Sequence, residues 1–419
     1  MIRTKFLRAC PLLITVLTLA MPAHAQEDAL NLESAPVEQA QAQGNAKWFI
    51  EGAFSNADQR YQLDSINSSR ASFDLLYSGS VAPGLRAVLS NRLDVIHSSS
   101  TQPDPSRNSL REAYLSLQPG GGDTVIDFGR INLRNGPAYG YNPTDFFRDG
   151  SLRVITSADP FALRQNRIGS VMLRAQQLWG GGSLSVAFSP KLTDAPSTER
   201  WNLDLGSTNN RDRAAITLGT QFSQNLNSQI LLYQENGLPP TLGANMTALL
   251  SDAAVAHLEW TRGTERDLAS RVFSLTAEAI TRNRFAGGIT YTTLGKTSIT
   301  AEYQYNGFAL DASGWARLST PAQLAYLQEA LRLQDLAPRQ AYLIYVSQKG
   351  LLGLKDLDLT GYVRFNGDDD SRLTWLELRH HWPRFDLTLQ LQHNLGSAGS
   401  EFGVVPDRRI LQALGTYYF

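Results

Sequence analysis

A two-residue period of apolar side chains runs to the last residue of this chain, and it constrains the fold more than any other feature. In residues 410–419, Leu411, Ala413, Gly415, Tyr417 and Phe419 fall on one face, while Gln412, Thr416 and Tyr418 fall on the other. Such alternation is a β-strand with one apolar face. A chain that stops on that strand leaves a row of unpaired backbone groups at a sheet edge, an invitation to associate with other chains. Pairing the last strand with the first closes the sheet and removes the edge; in lipid, where no water can satisfy the backbone, closure is obligatory. The alternative is the edge strand of a soluble sandwich.

The same period recurs through the chain. Trp48, Ile50, Gly52 and Phe54 oppose Lys47, Phe49 and Glu51, and Ala71, Phe73, Leu75 and Tyr77 oppose Ser72 and Asp74. Ile299, Ala301, Tyr303 and Tyr305 oppose Thr300, Glu302, Gln304 and Asn306; Phe385, Leu387, Leu389 and Leu391 oppose Asp386, Thr388, Gln390 and Gln392. A second face this polar suits a barrel with lipid outside and water inside. Composition alone conceals that reading. With 42% hydrophobic residues and a mean hydropathy of -0.24, the chain is too polar for a bundle of membrane helices, but only alternate barrel residues meet lipid.

Residues 1–25 read as a cleaved signal peptide: Arg3, Lys5 and Arg8 precede an apolar run over 11–21 and a small-x-small site at Ala23-His24-Ala25. The run is too short for a retained membrane helix. Residues 26–45 read as a flexible, polar periplasmic leader, and residues 46–419 as the barrel. The lack of a periplasmic domain beyond 26–45 argues against energy-coupled uptake. Cys10, the single cysteine, lies in the segment to be removed, so the mature chain has no disulfide framework, thiol nucleophile or zinc–thiolate site. Removing three basic residues from 38 Lys+Arg leaves 35 against 39 Asp+Glu, a net charge near -4. Nothing in that balance suggests nucleic-acid binding.

The links set the topology. Short turns are expected at 81–84, 118–123, 178–183, 223–228, 262–267, 294–297, 349–355 and 382–384. Longer polar links are expected at 55–69, 98–107, 135–161, 192–210, 236–251, 307–338, 366–371 and 396–408, with a brief one at 281–284 as the exception. Their alternation gives about eighteen antiparallel strands, short turns and both termini periplasmic, and long loops outside. Ile230 to Tyr233 shows no clear face, and a change of face near Gly129 permits a bulge.

Two loops stand out. Thr320-Pro321, followed by Leu324, Leu327 and Leu331, predicts a short amphipathic helix that packs on the barrel rim or covers its mouth. The third long loop is dense in turn formers, including Asn135-Gly136-Pro137, Asn142-Pro143 and Asp159-Pro160, which imply a compact path. From 127 to 174 there are seven arginines (Arg130, Arg134, Arg148, Arg153, Arg164, Arg167 and Arg174), no lysine, and four aspartates (Asp127, Asp145, Asp149 and Asp159). A guanidinium presents a fixed fork suited to carboxylate or phosphate. If the loop folds into the lumen, these arginines are the candidates for a pore constriction that binds substrate and favours anions. Pairing with the local aspartates and contact with lipopolysaccharide phosphates are the alternatives. Alternation places further charges of both signs inward, among them Glu51, Asp74, Arg92, Asp94, Glu112, Arg213, Glu259, Glu278, Glu302 and Arg364.

Enzyme readings are poor, and no cofactor or metal is implied. His97-Ser98 is a chance pair before it is an acyl-hydrolase pair, and the adjacent His380 and His381 point to opposite faces. Asn366 to Asp370, with three carboxylates, reads as a solvated loop tip before a calcium loop.

The signal peptide, the alternating strands and the terminal Tyr417-Tyr418-Phe419 resemble Gram-negative outer-membrane porin-type barrels over the whole mature chain. Phe128-Gly129-Arg130 leading to Asn142-Pro143-Thr144-Asp145 also resembles a strand-and-loop passage of the alginate-export barrels and related families. The first resemblance implies an outer-membrane location among lipid and lipopolysaccharide, with the barrel-assembly machinery engaging the strand that ends at Phe419. The second implies a large monomeric barrel with an arginine-lined path for an anionic polymer. The expectation is a channel for passive or facilitated passage of small anionic solutes. Its rivals are an export channel for an anionic polysaccharide and a plugged barrel that serves as scaffold in an envelope complex.

Overall fold

A computed structural model describes residues 46–62, 64–99, 106–274 and 276–419; the expected signal peptide and leader, with Cys10, lie outside the described residues. Eighteen strands form one sheet. They are β1 (Ala46–Gln59), β2 (Ile66–Ala82), β3 (Leu85–Ser98), β4 (Arg107–Leu117), β5 (Thr124–Ile131) and β6 (Ser170–Trp179). Next come β7 (Gly182–Ser189), β8 (Arg213–Ser223), β9 (Leu226–Glu235), β10 (Thr241–Ser251), β11 (Ala254–Glu265) and β12 (Ile280–Thr292). The last six are β13 (Thr297–Asn306), β14 (Gln340–Gln348), β15 (Leu357–Asn366), β16 (Arg372–Trp382), β17 (Phe385–Leu395) and β18 (Asp407–Tyr418).

Each strand pairs antiparallel with its neighbours in sequence, and β18 returns to β1 with Ile50 opposite Tyr417 and Phe54 opposite Ala413. Phe419 stacks on Trp48 with ring centroids 3.9 Å apart and nearly parallel planes. The terminal strand therefore has no free edge. Outward faces carry Trp48, Ile50, Phe54, Phe73, Leu389 and Leu411, all exposed; the opposite faces bury Ser72, Asp74, Arg92 and Asp94. A closed sheet that is apolar outside and polar inside is how a β-chain spans lipid without unpaired backbone.

Three expected links are corrected. The expected long loop 236–251 is a short link, 236–240, followed by β10. The expected turn 262–267 is instead the outer end of β11, and the long link is 266–279, which carries a helix at Leu268–Val272. Residues 281–284 belong to β12, so the brief links on the long-loop side are 236–240 and 367–371 instead, and Glu278 is exposed in a loop and is not on the lumen wall. The cause lies in β10: Gly243, Asn245 and Thr247 face in while Ala244, Met246 and Ala248 face out, a contrast too small to register as amphipathic. Gly129 makes no bulge, because the β4–β5 register runs unbroken through Tyr114 and Gly129. It has φ +136°, and a Cβ there would collide with the Ala113 carbonyl and the Tyr114 backbone. Close strand approach, not a bulge, requires this glycine.

The interior divides in two. The segment 132–169 leaves β5, enters the lumen and packs on the inner wall. Phe147, with Phe146 beside it, joins Ile131, Met172, Ala187, Ala215 and Tyr233 in one apolar cluster. Ala138 and Tyr141 meet Ala286, Leu336 and Ala341; Tyr139 and Phe161 pack on Leu343, Tyr345, Tyr362 and Trp375. The wall from β5 to β14 is therefore partly apolar on its inner face, and this is why Ile230 to Tyr233 lacked a clear face: Ile230 and Leu232 are exposed on the outer face while Leu231 and Tyr233 are buried on the loop side. From β15 through β18 to β3 the inner wall borders open space, except where Tyr362 and Trp375 pack on the loop.

Candidate functional site: the lumen and its inserted loop

Backbone amides of a loop inside a barrel have no ladder partners and must be satisfied by the wall. Two glutamates do this. Glu259 on β11 accepts from the amides of Ala138 at 2.8 Å and Thr144 at 3.2 Å, and from Asn142 Nδ2 and Thr144 Oγ1, each at 2.8 Å. Glu302 on β13 accepts from the amides of Tyr139 at 2.7 Å and Gly140 at 3.1 Å, and lies 3.0 Å from His257 Nε2. Gly136, at φ +94°, lies against the Glu259 carboxylate with no room for a Cβ. The turn formers at 135–144 thus serve a path on which successive amides converge on two carboxylates.

The seven arginines nominated from sequence have different surroundings. Arg148 donates to Asp335 at 3.0 Å and to the carbonyl of Asn142, and stacks over the Tyr141 ring. Arg167 pairs with Asp145 at 2.6 Å, and Arg164 reaches the same carboxylate at 3.6 Å while donating to the carbonyls of Asn135 and Gly136. Arg134 is buried in the field of Arg164, Glu112 and Asp145. Arg130 donates to the carbonyls of Leu110 and Leu203 and so ties β4 to the 190–212 loop, while Arg153 pairs with Asp204 at 3.0 Å and ties the inserted loop to that same loop. Arg174 faces Asp127 at 3.5 Å on the wall. Every one of the seven has an anionic or carbonyl neighbour, and Arg148, Arg164 and Arg167 also line open space.

That open space is two adjoining cavities. The one nearer the long-loop end, of about 260 Å³, is lined by Tyr141, Arg148, Arg164, Arg167, Leu327, Leu331, Gln334 and Asp335, with Arg364, Glu401 and Phe402 opposite. The deeper one, of about 480 Å³, lies between residues 155–163 of the loop and the open wall, where Ser55, Ser68, Arg70, Arg364, Gln390, Gln392 and Gln412 face it. Gly140, Pro160, Leu163, Leu331 and Arg364 line both, so the cavities form one passage. The expected helix forms over Thr320–Leu333, but its N-cap is Ser319 and Thr320 is its first residue. One face packs with Leu268, Ala309 and Trp315 at the rim, and the face bearing Leu327 and Leu331 lines the passage mouth, so both expected placements are occupied at once.

The carboxylates beside this passage are held. Burial alone would raise the Asp335 carboxyl, but Arg284 at 2.9 Å and Arg148 outweigh it and hold the group at about 2. Burial dominates at Asp159, which caps the helix Pro160–Gln165 and is pushed up to about 6. Glu401 pairs with Arg364 at 2.7 Å and Asn366 at 3.0 Å. Behind Arg70 lie Glu51 at 2.7 Å and Asp94 at 3.7 Å. Arg70 was not singled out from sequence, although its place two residues before Ser72 put it on the inward face; the use of Glu259 and Glu302 as loop anchors carried no local signal.

The minor candidates resolve simply. His97 and Ser98 project from opposite faces of β3. His380 stacks on Trp382 at 4.1 Å, while His381 turns inward to Asp386 at 2.9 Å. Asp368 accepts from the amides of Arg339 and Gln340, and Asp369 from those of Ser371 and Glu401, so these carboxylates fasten loops to one another. Among the described residues no group of three potential ligands is arranged to hold a metal ion.

No protein-family model and no curated protein matches the sequence. Solved structures do match. Acinetobacter baumannii OccAB1 superposes with a TM-score of 0.55 at 13% identity, covering 91% of this chain and 99% of that one. Pseudomonas aeruginosa OccK7 (OpdD) gives 0.53 at 14%, covering 90% and 99%, and the outer membrane protein OprD from Pseudomonas aeruginosa gives 0.50 at 11%, covering 91% and 96%. The resemblance to alginate-export barrels finds no support in these matches. In fold, the chain is an 18-stranded porin-type barrel similar to the Occ and OprD structures.

Proposed function

We propose that the protein is an outer-membrane channel for passive or facilitated passage of small solutes, with a preference for anions. The observation that carries this reading is the charge of the passage lining. Five arginines face it (Arg70, Arg148, Arg164, Arg167 and Arg364), against two carboxylates, Asp335 and Glu401, each already paired with arginine. The other partners of these arginines, Glu51, Asp94 and Asp145, do not line the cavities. A solute in the passage therefore meets guanidinium surface, which attracts carboxylates and phosphates. The signal peptide read at 1–25 and the strand ending at Phe419, where the barrel-assembly machinery would engage, fit export to the outer membrane. Of the arginines nominated from sequence, Arg148, Arg164 and Arg167 keep the role of pore-lining groups; Arg130, Arg134, Arg153 and Arg174 act through the scaffold that holds the loop.

The test is single-channel conductance of the purified protein in a planar bilayer under a salt gradient. An open current with an anion-selective reversal potential is expected, and Arg70→Gln with Arg364→Gln should move it toward cations. Cation selectivity in the unaltered protein would refute the anion preference. Near-zero current would refute the channel, leaving the barrel plugged by its third loop and the Thr320–Leu333 helix as a scaffold in an envelope complex.

A further inference from the structure

The lipid-facing wall differs around its circumference at the long-loop end. On β11 to β14 that end carries rings: Trp260, Phe285, Tyr303, Tyr305 and Tyr342 share the outward face, with Phe285–Tyr303 and Tyr303–Tyr342 centroids 6.1 and 5.5 Å apart. Aromatic rings of this kind mark a membrane–water interface. On β16, β17, β18 and β1 the outward rows instead end in Arg372, His393, Arg409 and Asp58. The opposite end of these same four strands is aromatic, with Trp382, Phe385, Tyr417, Phe419 and Trp48. One sector of the barrel thus exchanges its aromatic girdle for polar and charged side chains, arginines among them, and only at the end bearing the long loops.

The register places these groups together. His393 is opposite Arg409, Arg409 is opposite Asp58, and Thr374, two residues from Arg372, is opposite His393. Directly opposed side chains have Cβ atoms about 5 Å apart, and diagonal ones about 7–8 Å. A register shift after Asp58 inserts Arg408 beside them; it donates to Asp58 at 2.6 Å, while Arg409 lies 3.9 Å from the same oxygen. The Arg408 and Arg409 side chains remain 54% and 52% exposed. Arg372 is exposed and has no hydrogen bond or ion pair among the described residues. Arg408 and Arg409 share one carboxylate, Asp58, and Arg372 joins them around His393, just beyond the point where Leu391 and Leu411 end the apolar rows. Like charges gathered at a lipid boundary repel one another, and an anionic headgroup between them relieves that repulsion.

We propose that Arg372, Arg408 and Arg409 form a site on the outside of the wall for the phosphate groups of lipopolysaccharide, the phosphorylated glycolipid of the outer leaflet. Its forked donors match a phosphomonoester, and its height places them at the headgroups and not in the hydrocarbon. This inference rests on the outer-membrane reading above and not on the conductance of the lumen. The site lies on the opposite side of the wall from Arg70 and Arg364.

The experiment uses the full mature chain, folded in detergent, with binding followed by native mass spectrometry and by the thermal midpoint. The probes are bisphosphorylated lipid A, its dephosphorylated form, and inorganic phosphate. Lipid A should bind, and Arg372→Gln with Arg409→Gln should weaken it at least ten-fold; Arg262→Gln, on the aromatic sector, should not. Dephosphorylated lipid A should bind as weakly as the double variant does to lipid A. Equal binding by the double variant, or equal binding of the dephosphorylated lipid, would overturn the site. Inorganic phosphate that competes at the same concentration would overturn the commitment to a lipid. Conductance in bilayers free of lipopolysaccharide tests the channel independently, and membrane fractionation tests location, so failure of one reading is distinguishable from failure of another.

Discussion

The two halves of the inner wall solve opposite problems. From β5 to β14 the wall must hold a 38-residue loop, 132–169, in a fixed path; it does so with apolar contacts around Phe147 and Tyr233 and with the two carboxylates of Glu259 and Glu302. From β15 through β18 to β3, Tyr362 and Trp375 apart, the wall borders the cavity and carries Gln390, Gln392, Gln412, Ser55 and Arg70. One half sets the width of the passage, and the other supplies its opposite bank. A barrel interior is therefore not uniformly polar: wherever protein replaces water inside it, the inward residues become those of a protein core.

The largest test of this division is Glu259→Ala. It leaves the amides of Ala138 and Thr144 buried without an acceptor, at about 1–3 kcal/mol each. The loop should leave the wall, single-channel conductance should rise several-fold, and thermal stability should fall. Unchanged conductance would mean that apolar packing alone holds the loop. Phe147→Ala should cost about 3–5 kcal/mol by emptying the cluster around Met172 and Tyr233, measurable as a shift of the denaturant midpoint. Gln392→Ala, on the open bank, should change stability by no more than about 0.5 kcal/mol; a loss comparable to that of Phe147→Ala would erase the distinction between the halves.

A pH effect is expected between them in size. Asp159 lies where the loop meets the passage, with Tyr345, Glu377 and Arg379 facing it. Its folded pKa, about 6, is above the unfolded value of 3.8, so the folded loop binds the proton more tightly. No penalty exists at pH well below 4; it grows as pH rises from there and is complete above about 6. Closures and current noise from the loop should therefore increase between about pH 4 and about pH 6 and then level off, and Asp159→Asn should remove the dependence. A profile that is the same in the variant would assign the effect to another group.

The open half was the more legible in sequence, for a physical reason. Trp48 to Phe54, Ala71 to Tyr77 and Phe385 to Leu391 alternate between lipid and water, the largest contrast a strand can show. On the covered half, Leu231 and Tyr233 face a loop while Ile230 and Leu232 face lipid, so both sides are apolar. In β10, glycine and alanine reduce the contrast from the other direction, and the strand reads as a loop. The arginine-rich stretch was visible as composition, but the sequence does not separate Arg164, on the passage, from Arg130, tied to Leu110 and Leu203.

The sequence by itself determined the strand period, the lipid-facing rows, closure through the strand ending at Phe419, and a strand number of about eighteen. These follow from the local order of side chains along an extended backbone, which fixes the face of every second residue. Only the tertiary structure decided where the third loop lies, which arginines reach open space, and that Glu259 and Glu302 hold it there. Those outcomes depend on partners more than a hundred residues apart meeting inside the closed barrel, and no local pattern encodes which amide a distant carboxylate will find.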